Sequence, residues 1–163
     1  MAKINQVMVI LTALIIQGSM LLFLNIGGKQ PDLLLIVVIC FSILWGSRTG
    51  AFIGLAGGFL QDILFGRALG IFALTKMLVG YLSGFTEKNI YKDFVIGPMI
   101  IVFALTFLHE GLVFILSKEV IRQSVGPVFT QLIVPKALYN FCLTPFIYLI
   151  IYFADQKNYF KSF

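Results

Sequence analysis

The sequence predicts an all-α fold: an integral membrane bundle of six transmembrane helices forming one multi-pass domain over residues 1–163. Three observations carry this. Hydrophobic residues make up 60% of the chain and charged residues only 12%, where a soluble domain carries roughly 25% charged residues. The apolar residues gather into six runs separated by short polar turns. Along one run, glycines recur every fourth residue, a spacing that is costly in water and useful in lipid.

The helices are expected at 4–25, 32–46, 50–65, 70–85, 94–116 and 134–154. The first follows Lys3 and contains an apolar stretch, Val7 to Leu24, of about 18 residues. That is longer than the core of a signal peptide, and no Ala-x-Ala end follows it, so it reads as a retained helix. Its Gln17 and Ser19 are able to bond across helices. Gly27 and Gly28 make the next turn. Pro31 suits the first turn of the second helix, where a missing N–H costs nothing, and Asp32 suits the positive end of the helix dipole. The second helix is short against the roughly 17–25 residues a bilayer needs. Helices two and three are therefore also compatible with a re-entrant hairpin. Trp45 is placed like an interfacial anchor. Helix four carries Lys76, Gly80 and Gly84, and helix five His109 and Glu110. The connector 117–131, with Lys118, Glu119, Arg122, Gly126 and Pro127, has room for a short interfacial helix. Helix six has Pro135, Lys136 and Asn140 near its start and Pro145 inside.

The run Gly46, Gly50, Gly54, Gly58, Asp62, Gly66, Gly70 places its members on one helix face. In water each such glycine would weaken a helix by up to about 1 kcal/mol. In lipid, small residues let two backbones approach closely. The run is therefore a bare groove that either a helix of the same chain or the single transmembrane helix of a partner can fill. Gly80 and Gly84 make helix four the simplest internal candidate.

Net charge is +5, but no basic cluster is interleaved with exposed aromatics, so no nucleic-acid partner is expected. The cations fall one or two per loop, as topology signals do. With six spans both termini share a side. An inside N-terminus gives six cytoplasmic cations (Lys3, Arg48, Lys88, Lys92, Lys157, Lys161) against four outside (Lys29, Arg67, Lys118, Arg122). That favours cytoplasmic termini.

Asp62, Arg67, Lys76, His109, Glu110 and Lys136 are the informative polar residues in or beside the spans, because charge is expensive there. They point either to a relay or ligand site or to internal ion pairs that pin helices together. Arg67 is a ready partner for Asp62, as is Lys76, and Lys136 for Glu110. His109–Glu110 is half of a His-Glu-x-x-His zinc motif, but Val113 stands where the second histidine belongs. Gly54 to Gly58 lacks the Lys-Ser or Lys-Thr end of a phosphate loop. Cys40 and Cys142 lie far apart in apolar runs and read as small hydrophobes. The seventeen Phe read as lipid-facing and packing residues. No catalytic residue, metal site or cofactor is expected.

The order Pro31-Asp32-Leu33-Leu34-Leu35, then Gly50, Gly54, Gly58-Phe59-Leu60-Gln61-Asp62, then Gly66, Gly70-Ile71-Phe72 and Gly80-Tyr81 resembles the bacterial rod shape-determining MreD family over about a third of the chain. The resemblance implies a small, non-enzymatic, multi-pass protein of the cell membrane. It implies a place in the elongation machinery, with the bitopic MreC as partner and, through it, MreB, RodA and a class B penicillin-binding protein. It also implies a fold similar to the S-components of energy-coupling-factor transporters, and marks Pro31, Asp32, Gly54, Gly58, Asp62, Gly66 and Gly70 as motif positions. A vitamin-carrier function is the rival reading. It calls for an Ala-x-x-x-Ala docking patch on helix one, where Ala13 is instead followed four residues on by Gln17. An intramembrane enzyme has no nucleophile–base pair to support it.

Overall fold

Leu33 to Leu44 is almost unbroken hydrocarbon, and the helix it forms, α2 (Leu33–Trp45), buries every one of these residues. The rest of the bundle is wrapped around it. The structure, a computed structural model, describes residues 2–20, 30–65, 69–86, 94–117 and 125–157. All regular elements among the described residues are helical. They are α1 (Ala2–Met20), α2, α3 (Ser47–Phe65), α4 (Ile71–Ser83) with a 3-10 turn Gly84–Thr86, and α5 (Ile96–Leu116). The last stretch is α6 (Val125–Val128), a π segment Phe129–Ile133, and α7 (Val134–Gln156).

The ends depart from the sequence expectation for identifiable reasons. Helix α2 begins after Asp32, whose backbone is not helical and whose side chain accepts from Leu35 N. Asp32 is thus the N-cap, and Pro31 precedes the helix rather than lying in its first turn. Gly46 and Gly70 have φ of 87° and 100°, a region that suits glycine. They are turn residues, so the every-fourth run is not one continuous helix: α3 holds Gly50 to Asp62 and starts at Ser47. Gly66 and Arg67, like the end of the first expected helix beyond residue 20, lie outside the described residues. The short interfacial helix expected before helix six is continuous with it. Pro135 has no N–H to offer Gln131, and just before it the ladder widens, with Val134 N–H reaching Phe129 O.

Two helical stretches, Ile96–Leu116 and Gly126–Gln156, are long and apolar enough to cross a membrane. By contrast α2 and α4 have 13 residues each, about 20 Å. Large apolar side chains cover the outside, among them Ile15, Phe52, Phe59, Ile100, Phe146 and Ile150, while Asp32, Lys76, His109 and Asn140 are buried. This distribution is inverted relative to a soluble protein and suits a lipid surrounding.

Helix α4 fills the glycine groove of α3. A Cβ on Gly54 would overlap the carbonyl of Lys76, one on Gly58 the carbonyl of Phe72, and one on Gly50 the carbonyl of Gly80. Reciprocally, a Cβ on Gly80 would strike Gly50 O, and one on Gly84 the backbone of Ser47. Gly57, which the every-fourth spacing passes over, faces α1 and α2 instead, near Leu34 and Ile10. The contrast with Gly111 on α5, where a Cβ would meet nothing within 4 Å, gives a direct test. Gly58→Ala is expected to lower stability by about 1–3 kcal/mol. Gly111→Ala should be neutral or stabilising, by up to about 1 kcal/mol. Thermal unfolding of the two purified variants in one detergent measures the difference.

Candidate functional site: a buried charge cluster

Five ionisable side chains from four helices meet inside the bundle. Asp32 caps α2, with Oδ1 accepting from Leu35 N at 2.9 Å. Its other oxygen receives the ammonium of Lys76, which reaches it from α4. Lys76 Nζ also lies 3.3 Å from His109 Nε2. An ammonium has only donors, so Nε2 is the acceptor and the ring proton sits on Nδ1. Nδ1 then donates to Glu110 Oε1 at 3.0 Å. The same oxygen takes Lys136 Nζ at 2.7 Å. The line runs Asp32, Lys76, His109, Glu110, Lys136, and two carboxylates balance two ammonium groups across a neutral imidazole. Phe72 closes one side, stacked on His109 with ring centroids 6.3 Å apart and 5.6 Å from Lys76 Nζ.

Amides and hydroxyls around this line hold it in place. Asn140 Oδ1 accepts from Asp32 N (2.9 Å), and its Nδ2 donates to Thr106 Oγ1 (3.1 Å). Thr106 in turn donates to Val102 O at 2.7 Å. Gln17 Oε1 accepts from Leu34 N at 3.3 Å, so α1 also contributes to the start of α2. The start of α2 is thus served by side chains from α1, α4 and α7.

Asp62 stands apart from the cluster. Its Oδ2 accepts from Gly70 N (3.0 Å) and Ala73 N (2.9 Å), and its Oδ1 from Phe72 N (3.0 Å). It is the rung of the α3 ladder that meets the open end of α4, and it caps that end from the neighbouring helix. Its pairing with Lys76 does not form, because Lys76 points to the other side of α4 and binds Asp32. Of the polar residues singled out in the sequence, the structure brings Lys76, His109, Glu110 and Lys136 together with the motif residue Asp32. It separates Asp62 from them, and Arg67 lies outside the described residues. Sequence reasoning missed Asn140 and Thr106 as members, since a lone amide or hydroxyl in an apolar helix has no spacing signature.

Oxygen and nitrogen atoms of Asp32, His109 and Glu110 lie within 4.8 Å of one another, close enough to suggest a cation cradle. Each of them already faces a lysine ammonium or its histidine neighbour, so the positive charge such a cradle would attract is built in. The arrangement is suited to holding four helices in register.

The sequence model of one family, rod shape-determining protein MreD, matches residues 1–157. The chain belongs to the MreD family. Neither the curated proteins nor the solved structures contain a match. Membership makes this an MreD-type rod shape-determining membrane protein, of a family that serves as a structural component and is not known for catalysis.

Within this MreD-family protein the cluster makes a specific energetic claim. Removing one partner of a buried pair leaves the other charge uncompensated, at a cost of about 3–5 kcal/mol. Lys76→Met alone is expected to lower stability by that order, while Asp32→Asn with Lys76→Met should recover most of the loss. Separately, Asp62→Ala should cost about 1–2 kcal/mol, in the range of a lost helix cap. Asp62→Asn should cost less, since it keeps one acceptor oxygen. Thermal unfolding of the purified variants decides both.

Proposed function

We propose that this protein is a multi-pass component of the bacterial cell membrane, with six spans and cytoplasmic termini. It supports side-wall peptidoglycan synthesis and rod shape by holding other proteins through helix–helix contacts. Its partner in this reading is MreC and, through it, MreB, RodA and a class B penicillin-binding protein. It is not an enzyme.

One observation carries the reading: among the described residues, the charge cluster and the glycine groove are both filled from within the chain. The ions of the cluster cancel one another, and the glycine groove is taken by the chain's own α4. What such a body offers is a stable shape and an outer surface, which are the properties of a scaffold.

The convergence of polar groups from four helices also favours a second reading, a substrate-binding S-component of a vitamin transporter, since ligand sites use a few convergent polar groups. Against it, these groups bind each other, and α1 lacks the Ala-x-x-x-Ala patch. Depletion in the native rod-shaped host separates the two. Swollen or rounded cells with normal vitamin uptake are expected. Normal rods with failed uptake of one vitamin would establish the carrier instead.

A further inference from the structure

Among the described residues, one buried side-chain oxygen has no hydrogen-bond partner: Gln61 Oε1, on a residue 4% exposed. Inside an apolar bundle such an acceptor is expensive, and each one in a native protein calls for an explanation. Asp62, next along the chain, takes three N–H groups at the start of α4. Gln61 points elsewhere.

Its direction follows from the glycines of α3. Gln61 is about three full turns beyond Gly50 and about one turn beyond Gly57, so the three share a face. A Cβ on Gly50 would meet Ser42 of α2, and one on Gly57 would meet Leu34 of α2. The face is therefore turned to α2. The two helices run antiparallel, since the later position on α3 meets the earlier position on α2. One more turn along α3 brings Gln61 level with residues 30–31, and a helical side chain leans back toward its own N-terminus. Its amide thus arrives at the first turn of α2.

A helix start has four N–H groups without a partner inside the helix. In α2 three of them are met by side chains. Asp32 N donates to Asn140 Oδ1 at 2.9 Å, Leu34 N to Gln17 Oε1 at 3.3 Å and Leu35 N to Asp32 Oδ1 at 2.9 Å. The fourth N–H belongs to Leu33, which is 7% exposed and which none of these three acceptors serves.

A group seated between the two must donate to Gln61 Oε1 and accept from Leu33 N–H. An anion has no proton to give, and an ammonium group or a metal ion cannot accept an N–H. The Asp32 carboxylate already supplies the negative charge that a helix start favours. A hydroxyl oxygen does both tasks. We propose that the head of α2 holds one neutral hydroxyl oxygen, from water or from a lipid headgroup, which bridges Leu33 N–H and Gln61 Oε1. It ties α3 to α2 beside Asp32, where the charge cluster begins.

The test uses the full chain, isotope-labelled for nuclear magnetic resonance, in nanodiscs. One set is made of phosphatidylcholine, a lipid without hydroxyl groups, and the other has added phosphatidylglycerol, whose headgroup carries them. A cross-peak between Leu33 N–H and the water resonance in the first set identifies water. A cross-peak to headgroup protons that arises only in the second identifies the lipid. Absence of both overturns the proposal. Thermal unfolding gives an independent reading in which the sign decides. Gln61→Met keeps the length of the side chain and removes its oxygen. It is expected to lower the melting temperature by about 3–6 °C and to abolish the cross-peak, because the bridging oxygen loses its anchor and Leu33 N–H is left unmet. An unchanged or raised melting temperature is the result of replacing a bare orphan acceptor by an apolar group, and it would remove the bridge.

Discussion

Charge inside an apolar bundle has to be cancelled where it stands, because hydrocarbon offers no water to do it. Most of the internal geometry follows from that requirement. Asp32 is fixed by the helix it caps, so Lys76 must come to it, and α4 must therefore lie close to the start of α2. Lys76 has donors to spare, and His109 accepts one of them. That choice sets the ring's tautomer and turns its other nitrogen on Glu110. Glu110 then needs a second cation, which α7 supplies as Lys136. Each link determines the next, and four helices are fixed relative to one another along the way.

Close backbone packing of α3 on α4 is what makes this reach possible. The bare positions Gly50, Gly54 and Gly58 admit the carbonyls of Gly80, Lys76 and Phe72, so one face of α4 is pressed into α3 and Lys76 emerges on the other. Where the ladder runs out, Asp62 replaces a glycine and receives three backbone N–H groups at the start of α4. A row of small residues and a single acid are thus one device. The glycines bring the helix in, and the acid satisfies its first turn, which in an apolar setting would otherwise keep unpaired donors.

Much of this was legible in the sequence. The helical fold follows from hydropathy alone, and the glycine spacing pointed to a close helix contact with Gly80 and Gly84 on the other side. Proline-aspartate at the start of α2 and the motif order led to the family. Other features were hidden because they depend on distant pairs. Asp32 and Lys76 are 44 positions apart, and no local pattern ties them together. Asp62 looked like a member of an ion pair because side-chain charge is visible in a sequence and an unpaired helix end is not. Asn140 and Thr106 carry no periodic signal. The π segment arises from Pro135 acting on the turn before it, an effect of one missing hydrogen that a reading by hydropathy passes over.

The order in which the cluster's members appear along the chain bears on how the bundle assembles. Asp32 and Lys76 belong to the first four helices, and Glu110 and Lys136 to those that follow. Each portion therefore contains its own acid and its own base. Either portion can thus pack before the other without leaving its own member of this cluster unpaired. His109, between Lys76 and Glu110, is the clasp that joins the two ion pairs, and it can close last.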